Sequence, residues 1–466
     1  MKKITFALLF GNRGFFPGTV IAAAREEMCT AVKLAGAEAL CMDPALTRYG
    51  AVETREEGKA FADFLKAHEG EYDGLIICLP NFGDENGIKE AIKDVRVPIL
   101  LQAYPDELDK LDFANRRDAF CGRLGLCAVL KQMGVKFVSG STFVAKPLSD
   151  GFHKDLVSFV STCRIVRKLR HARVGVIGAR TTAFKSVRFD EGALEARGVD
   201  VETLDLTQLF DKINAIADDD VRLASWLDDI NEISDTSDAP EYAILNQCKL
   251  GVAIEELICE MGLDALAIRC WSELQYEYKI TPCTVMGVLN NRQIPVLCET
   301  DATNAPAMLA LAMASYKGVG CLDVNNNYGE EPNKCIMFHC GPLPIDLMVD
   351  KGHMEEHKMF TKTQGCNCSW GVNAGRIKPS TVTVCGMRTE KGETRYFVEL
   401  AEVLDIELDR AFFGTYGVAE IPDLQAKLIH MGEEGFRHHV LITEGDHTKA
   451  VRQALSKYLG YTEIKL

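Results

Sequence analysis

The chain has 466 residues, 47% of them hydrophobic and 26% charged, with a formal net charge of −15 at pH 7. That is the balance of a globular protein of two to four domains. The acid excess excludes a general nucleic-acid binder, whose phosphate contacts need a basic face, and no run approaches the ~20 apolar residues of a transmembrane helix. The opening "MKKITFALLFGNRGFFPG" has two lysines and then an apolar stretch of about seven residues, with no small-residue cleavage site after it. It reads as a first β-strand and not as a signal peptide. The 17 cysteines are scattered through apolar segments without framework spacing, which suits reduced thiols and a cytoplasmic location. The one close pair, Cys366 and Cys368, has no second cluster to complete a zinc site.

Through residues 1–150, strand and helix signals alternate. "ITFALLF", "AEALCMD", "YDGLIICLP" and "VPILLQAYP" read as strands, and "TVIAAAREEMCTAVKLAG" and "EEGKAFADFLKAHEG" as amphipathic helices. Alternation of this kind predicts a doubly wound parallel sheet, in which ligands sit at the C-terminal strand ends. Arg13, Asn81 and Gln102 all follow strands and are candidate substrate-binding groups. A second doubly wound α/β domain is expected over 151–330, with a helix over 154–169 leading into the strand "RVGVIG". From 331 to 466, segments such as "STVTVCGMR" and "FRHHVLITEG", separated by Gly, Pro and Lys, predict a β-rich C-terminal domain.

Three patterns carry chemistry. "VGVIGAR" lacks the spacing of a G-x-G-x-x-G loop, so a nicotinamide-dependent dehydrogenase is disfavoured. In "VLCETDATNAPAML", Glu299 and Asp301 stand where an apolar run gives way to a second one. If the segment is extended, both acids point to one side, and such a pair is costly unless it shares a proton or a cation. "CWSEL" brings Glu273 to the end of the preceding strand, one crossover away. In "RHHV", His438 and His439 would face opposite sides of an extended chain, so that one reaches a site and the other turns away. Two carboxylates and an imidazole with open positions suit Mn²⁺ or another divalent ion such as Mg²⁺ or Co²⁺. That donor set fits an aldose–ketose isomerase, in which a metal stabilises an enediolate and carboxylates move a proton between adjacent carbons.

The segments "NRGFFP", "VGVIGARTTAFKSVRFDE", "CWSEL", "CETDATNAPAML", "FHCGPLP" and "RHHV" resemble those of the L-fucose/L-arabinose isomerase family along the whole chain. The resemblance implies two α/β domains and a β-rich C-terminal one. It implies Glu273 as the first metal carboxylate and His438 as the C-terminal ligand. The second carboxylate is Asp301 by the fucose-type pattern and Glu299 by the arabinose-type pattern. It also implies a homohexamer with sites at subunit interfaces, Arg13 reaching a neighbour's site, and a small sugar as the partner. Asn325, Asn326 and Asn327 stand where arabinose isomerases carry a further ligand histidine, so a strict arabinose isomerase is not expected. Lys185 and Arg188 would suit an anionic sugar such as sulfoquinovose, unless they pair with Asp190 and Glu191 on a surface helix. His339 and His439 complete the expected substrate-binding set. The rival to an enzyme is a non-catalytic sugar-binding protein, which also pairs α/β domains.

Overall fold

Short apolar runs followed by amphipathic ones build parallel strands joined by helices. The computed structural model describes residues 2–409 and 412–466. The chain divides between Arg167 and Lys168 into two compact units.

In the first unit, β1 (Thr5–Phe10), β2 (Glu38–Cys41), β3 (Gly74–Leu79), β4 (Ile99–Ala103) and β5 (Val138–Ser139) form a parallel sheet in the order β2-β1-β3-β4-β5. Strands β3 and β4 are buried from end to end, as expected of a parallel sheet covered on both faces. The order reverses between β1 and β3, and such a switch point opens a crevice at the strand ends. Asn12 and Arg13 follow β1 there, and Asn81 follows β3. The helix expected over 154–169 begins one turn earlier, as Asp150–Leu169. Asp150 lies in its first turn, where the helix dipole favours a carboxylate.

The second unit holds two sheets. β6 (Ala172–Ile177), β7 (Val199–Leu204), β9 (Ala265–Ile268) and β10 (Val296–Leu297) run parallel in the order β10-β9-β6-β7. The glycines of "VGVIG" serve packing: a Cβ on Gly175 would come within 2.6 Å of Leu263, and one on Gly178 within 2.9 Å of Arg269 and Leu206. The other sheet has ten strands and is mostly antiparallel. It contains β8 (Ser234–Asp235), β11 (Gly320–Tyr328), β12 (Glu331–His339), β13 (Gly352–Glu356), β14 (Trp370–Arg376), β15 (Ser380–Glu390), β16 (Glu393–Leu404), β17 (Thr415–Glu420), β18 (His439–Glu444) and β19 (Thr462–Glu463). Their order is β19-β16-β15-β18-β11-β12-β17-β14-β13-β8.

The helix Ala305–Ser315 joins these two sheets. It is apolar all round, every residue from Ala305 to Ala314 is buried, and it packs on β9, β15 and β18. A helix hydrophobic on every side belongs inside a core. Burying each of Met308, Leu309, Leu311 and Met313 stabilises by about 1.5–3 kcal/mol. Its N-terminus therefore holds the Glu299–Asp301 segment fixed between a parallel and an antiparallel sheet. Among the described residues, no helix is long and apolar enough to cross a membrane.

Candidate metal centre

The segment after β10 is not extended. Glu299 and Thr300 take left-handed backbone conformations, φ +61° and +58°, so strand alternation does not govern where the acids point. This corrects the expectation of two acids on one side of a strand. The turn is held by Thr300 N–H donating to the Ile268 carbonyl (3.2 Å) and Asp301 N–H donating to that of Cys298 (3.1 Å). It sends the two carboxylates to opposite edges of one imidazole. Asp301 Oδ2 lies 2.8 Å from His439 Nδ1, and Glu299 Oε2 lies 3.3 Å from His439 Nε2.

Asp301 is fully enclosed and its oxygens are engaged. Oδ1 accepts from the Arg437 guanidinium, and Oδ2 accepts from Asn304 Nδ2 at 2.8 Å besides facing His439. Asn304 is itself fixed through Oδ1 by the Met387 N–H at 2.8 Å. Burial pushes the Asp301 carboxyl up, but Arg437 and His439 outweigh it and hold it at about 2. Burial pushes the His439 imidazole down, but Asp301 and Glu299 outweigh that and lift it to about 10. Glu299 stays below the usual carboxylate range despite burial, because His439 sits on it.

A third acid enters through sheet register. Asp323 on β11 is the cross-strand partner of His439 on β18, and its Oδ1 lies 3.6 Å from His439 Nε2. The sequence reading missed Asp323 and Arg437. Arg437 stands in the quoted "RHHV" segment, where only the histidines drew notice, and Asp323 belongs to no recognisable spacing and is brought in by the pairing of strands far apart in the chain. The paired histidines do not turn away from each other. His438 precedes the first residue of β18, its ring centroid is 4.7 Å from that of His439, and its Nε2 is 3.8 Å from Asp323 Oδ1. The alternation expected of an extended chain fails because the strand starts only at His439. Burial and His439 push the His438 imidazole below its usual value, towards the neutral form that binds metals.

His339, at the end of β12, groups with Asp323 and His439, as Glu299 groups with His438 and His439. His339 Nδ1 accepts the Cys340 N–H at 2.8 Å, which assigns any ring proton to Nε2. Burial pushes this imidazole down, and Cys340 and Asp323 raise it above its usual value. A cavity of about 40 Å³ is lined by Glu299, His339, Trp271, Phe360 and several cysteines.

The atoms that face one another fit a divalent ion. Glu299 Oε2, Asp323 Oδ1 and His439 Nε2 are all buried and have no hydrogen-bond partner among the described residues. Ligands ~2.1 Å from an octahedral ion lie about 3.0 Å apart in cis and about 4.2 Å in trans. The observed separations of 3.3, 3.6 and 3.8 Å fall inside that window. Charge agrees: three carboxylates, Glu299, Asp301 and Asp323, face one guanidinium, Arg437. With His439 neutral, as a metal ligand must be, the formal deficit is two, which a divalent cation cancels; without a metal the protonated His439 supplies one of those charges.

The remaining expected site residues lie elsewhere. Glu273 opens the helix Glu273–Tyr278 and is held by Arg269 through two hydrogen bonds, 2.6 and 2.7 Å, so it is not among the converging groups. The turn between them does reach the cluster, since Trp271 Nε1 donates to Glu299 Oε1 at 3.3 Å. Lys185 and Arg188 do not pair with Asp190 or Glu191; they line a separate cleft that shares no residue with the Glu299, Asp323 and His439 cluster. In the first unit, Arg13 N–H donates to Asn81 Oδ1 (3.3 Å), Asn81 Nδ2 donates to Asn12 Oδ1 (2.7 Å), and the Arg13 guanidinium lies over the Phe82 ring. Gln102 Nε2 donates to the Ala145 carbonyl at 2.6 Å.

Residues 7–170 match the N-terminal domain of the fucose/sulfoquinovose isomerases, and residues 337–465 match the C-terminal domain of L-fucose isomerase. The chain is 24% identical over 403 residues to a sulfoquinovose isomerase of Alkalicoccus urumqiensis, covering 84% of this chain and 85% of that one. It is 20% identical over 405 residues to a sulfoquinovose isomerase of Priestia aryabhattai, covering 85% and 86%. The chain belongs to the fucose/sulfoquinovose isomerase family and is an enzyme of the aldose–ketose isomerase class.

Proposed function

We propose that this isomerase depends on a divalent metal, Mn²⁺ or another such as Mg²⁺ or Co²⁺, held by Glu299, Asp323 and His439, with His438 beside them. The observation that carries this reading is the set of three buried, unpartnered donor atoms on Glu299, Asp323 and His439, in a cluster short of two positive charges once His439 is neutral. When bound, the metal polarises two neighbouring sugar oxygens and stabilises the negative charge that develops between them.

The protein side of the chemistry follows from the hydrogen bonds. Asp301 fixes the proton of His439 on Nδ1 and leaves Nε2 for the metal, the usual role of a carboxylate behind a ligand histidine. His339 presents Nε2–H as a donor to a sugar oxygen. Glu273 is the carboxylate we assign to proton transfer between C1 and C2, after its exchange of Arg269 for the substrate. Phe184, Trp271 and Phe360 meet edge to face at centroid distances of 5.2 and 6.1 Å and form an apolar wall that excludes water beside Glu299. We assign the substrate as a monosaccharide, with an anionic hexose such as sulfoquinovose favoured over L-fucose or D-arabinose by the names of the relatives. The reading includes a cytoplasmic homo-oligomer, a hexamer, in which Arg13, Asn81 and Gln102 contribute to sugar binding and Arg13 serves a neighbouring subunit.

Metal analysis of the purified protein, with a ketose-forming assay on sulfoquinovose, L-fucose, D-arabinose and L-arabinose, tests this. About one divalent ion per chain and metal-dependent turnover are expected; a metal-free enzyme with full activity refutes it. Glu273→Gln separates the roles of the acids. It should lower kcat by about 10²-fold or more while leaving the metal content intact, and loss of the metal would make Glu273 a ligand instead.

A further inference from the structure

A cleft of about 450 Å³ lies between the 185–190 turn and the tip of the β15–β16 hairpin. Five cations line it, Lys185, Arg188, Arg388, Lys391 and Arg437, against the two carboxylates of Asp190 and Glu390. Both oxygens of Asp190 are committed to backbone: Oδ1 accepts from Ala193 N–H (3.0 Å) and Oδ2 from Gly392 N–H (2.7 Å). Glu390 is matched by Arg388 (3.2 Å) and Lys391 (3.3 Å), and Arg388 also reaches Glu434 Oε2 (3.5 Å) from outside the cleft lining. Lys185 and Arg188 have no carboxylate partner among the described residues. Two guanidinium Nε atoms, on Arg388 and Arg437, are buried without a hydrogen-bond partner, and the Arg437 side chain is only 5% exposed. In a chain of net charge −15, a concave wall with this positive excess attracts and orients anions. Guanidinium groups suit the planar pairs of oxygens that phosphate, sulfate and sulfonate share.

We propose that this cleft binds a free tetrahedral oxyanion, of which inorganic phosphate is the simplest, and that the bound anion tunes the metal centre through Arg437. The path is a series of direct contacts. Arg437 lines the cleft and also donates to Asp301; Asp301 faces His439 Nδ1; His439 Nε2 faces Glu299 and Asp323. An anion on Arg437 draws the guanidinium charge away from Asp301. The carboxylate then interacts more strongly with His439 and makes it a better ligand. Occupancy of the cleft therefore tightens metal binding, and by reciprocity the metal tightens anion binding by the same factor.

The coupling rests on the metal-centre reading above; anion binding alone does not. Phosphate and, separately, sulfate are titrated by calorimetry into the metal-free full chain and into the Mn²⁺-loaded chain, with chloride at matched ionic strength as the control. One anion per chain is expected. Its affinity should fall about tenfold or more in Arg188→Gln/Arg388→Gln, from the loss of charged hydrogen bonds, with Arg388→Lys restoring part of it. Should Arg388→Gln not fold, Arg188→Gln/Lys391→Gln, two exposed positions, makes the same test. The Mn²⁺ affinity should rise about fivefold with phosphate present, at the lower end of ordinary coupling between sites. No binding above the chloride control, or binding unchanged in the variants, overturns the site. Anion binding that leaves Mn²⁺ affinity unchanged overturns the coupling. If sulfoquinovose displaces the anion and L-fucose does not, the cleft seats the charged group of the sugar, and the free-anion proposal falls. If Mn²⁺ does not bind at all, the metal reading fails and the coupling with it, while titration of the metal-free chain still decides the site.

Discussion

Two sets of polar residues sit at strand ends, and they differ in whether their hydrogen-bonding groups are answered. After β1 and β3 in the first unit, Asn12, Arg13 and Asn81 bond to one another, and Asn12 Nδ2 donates to Glu53 Oε2 at 2.7 Å. After β10, within β11 and at the start of β18 in the second unit, Glu299 Oε2, Asp323 Oδ1 and His439 Nε2 face one another with no partner among the described residues. Buried polar atoms left unpaired are costly. Three of them in one place suit a group bound from outside the polypeptide. The first set is neutral apart from the Arg13 and Glu53 side chains and is closed by amides. The second is acidic, and in the reading proposed above a cation closes it. This contrast, more than the number of polar residues, marks the second set as the candidate ion site.

The contrast breaks most visibly at Glu299. Glu299→Gln keeps the shape and removes a charge, so bound metal should be lost and kcat/KM should fall by at least about a thousandfold, the several kcal/mol that a Lewis acid supplies. A variant that keeps both metal and turnover would place the centre elsewhere. Asp301→Asn should weaken Mn²⁺ binding by about 10–100-fold through its hold on His439. It also strips Arg437 of its only carboxylate among the described residues, and an uncompensated buried charge costs about 3–5 kcal/mol, read as a lower denaturation midpoint.

Titration gives the next effect. Metal binding must displace the His439 proton, which the metal-free protein holds up to about 10. Mn²⁺ affinity should therefore rise about tenfold per pH unit between pH 6.5 and 8.5, with one proton released per ion. The stability of the metal-free protein follows the opposite course at high pH. A raised histidine contributes stability that is complete below its ordinary value of 6.5 and is lost as the pH rises through about 10. Asp301, held at about 2, contributes stability that is present above 3.8 and is lost as the pH falls through about 2. Both describe the same contact, so the metal-free chain should be most stable between about pH 4 and 6.5. A melting temperature that climbs from pH 7 to 9 without metal would contradict this. The smallest effect belongs to the first unit: Asn81→Ala should cost about 1–3 kcal/mol by leaving Asn12 Oδ1 and the Arg13 N–H unpaired, with metal content unchanged.

Local pattern carried much of the fold. Apolar runs of strand length alternating with amphipathic helices require parallel sheets, because each helix must bury its stripe on a neighbouring strand. The Glu299–Asp301 segment and the adjacent histidines were equally legible as ingredients of the candidate site, since paired acids between two buried runs need a shared proton or a cation. Their directions were not. The left-handed turn at Glu299 and Thr300 is held by backbone bonds, one of them to Ile268 on the neighbouring strand, and no periodicity reports it. Asp323 joins His439 only because β11 and β18 pair in one register, a choice made by long-range side-chain packing. Arg269 takes up Glu273 and Arg437 takes up Asp301, so which acids remain free for a metal depends on the cations the tertiary structure brings to them. The sequence by itself determined which residue types and which local elements are present. Only the tertiary structure decided which charges remain unanswered, because that depends on contacts between residues far apart in the chain.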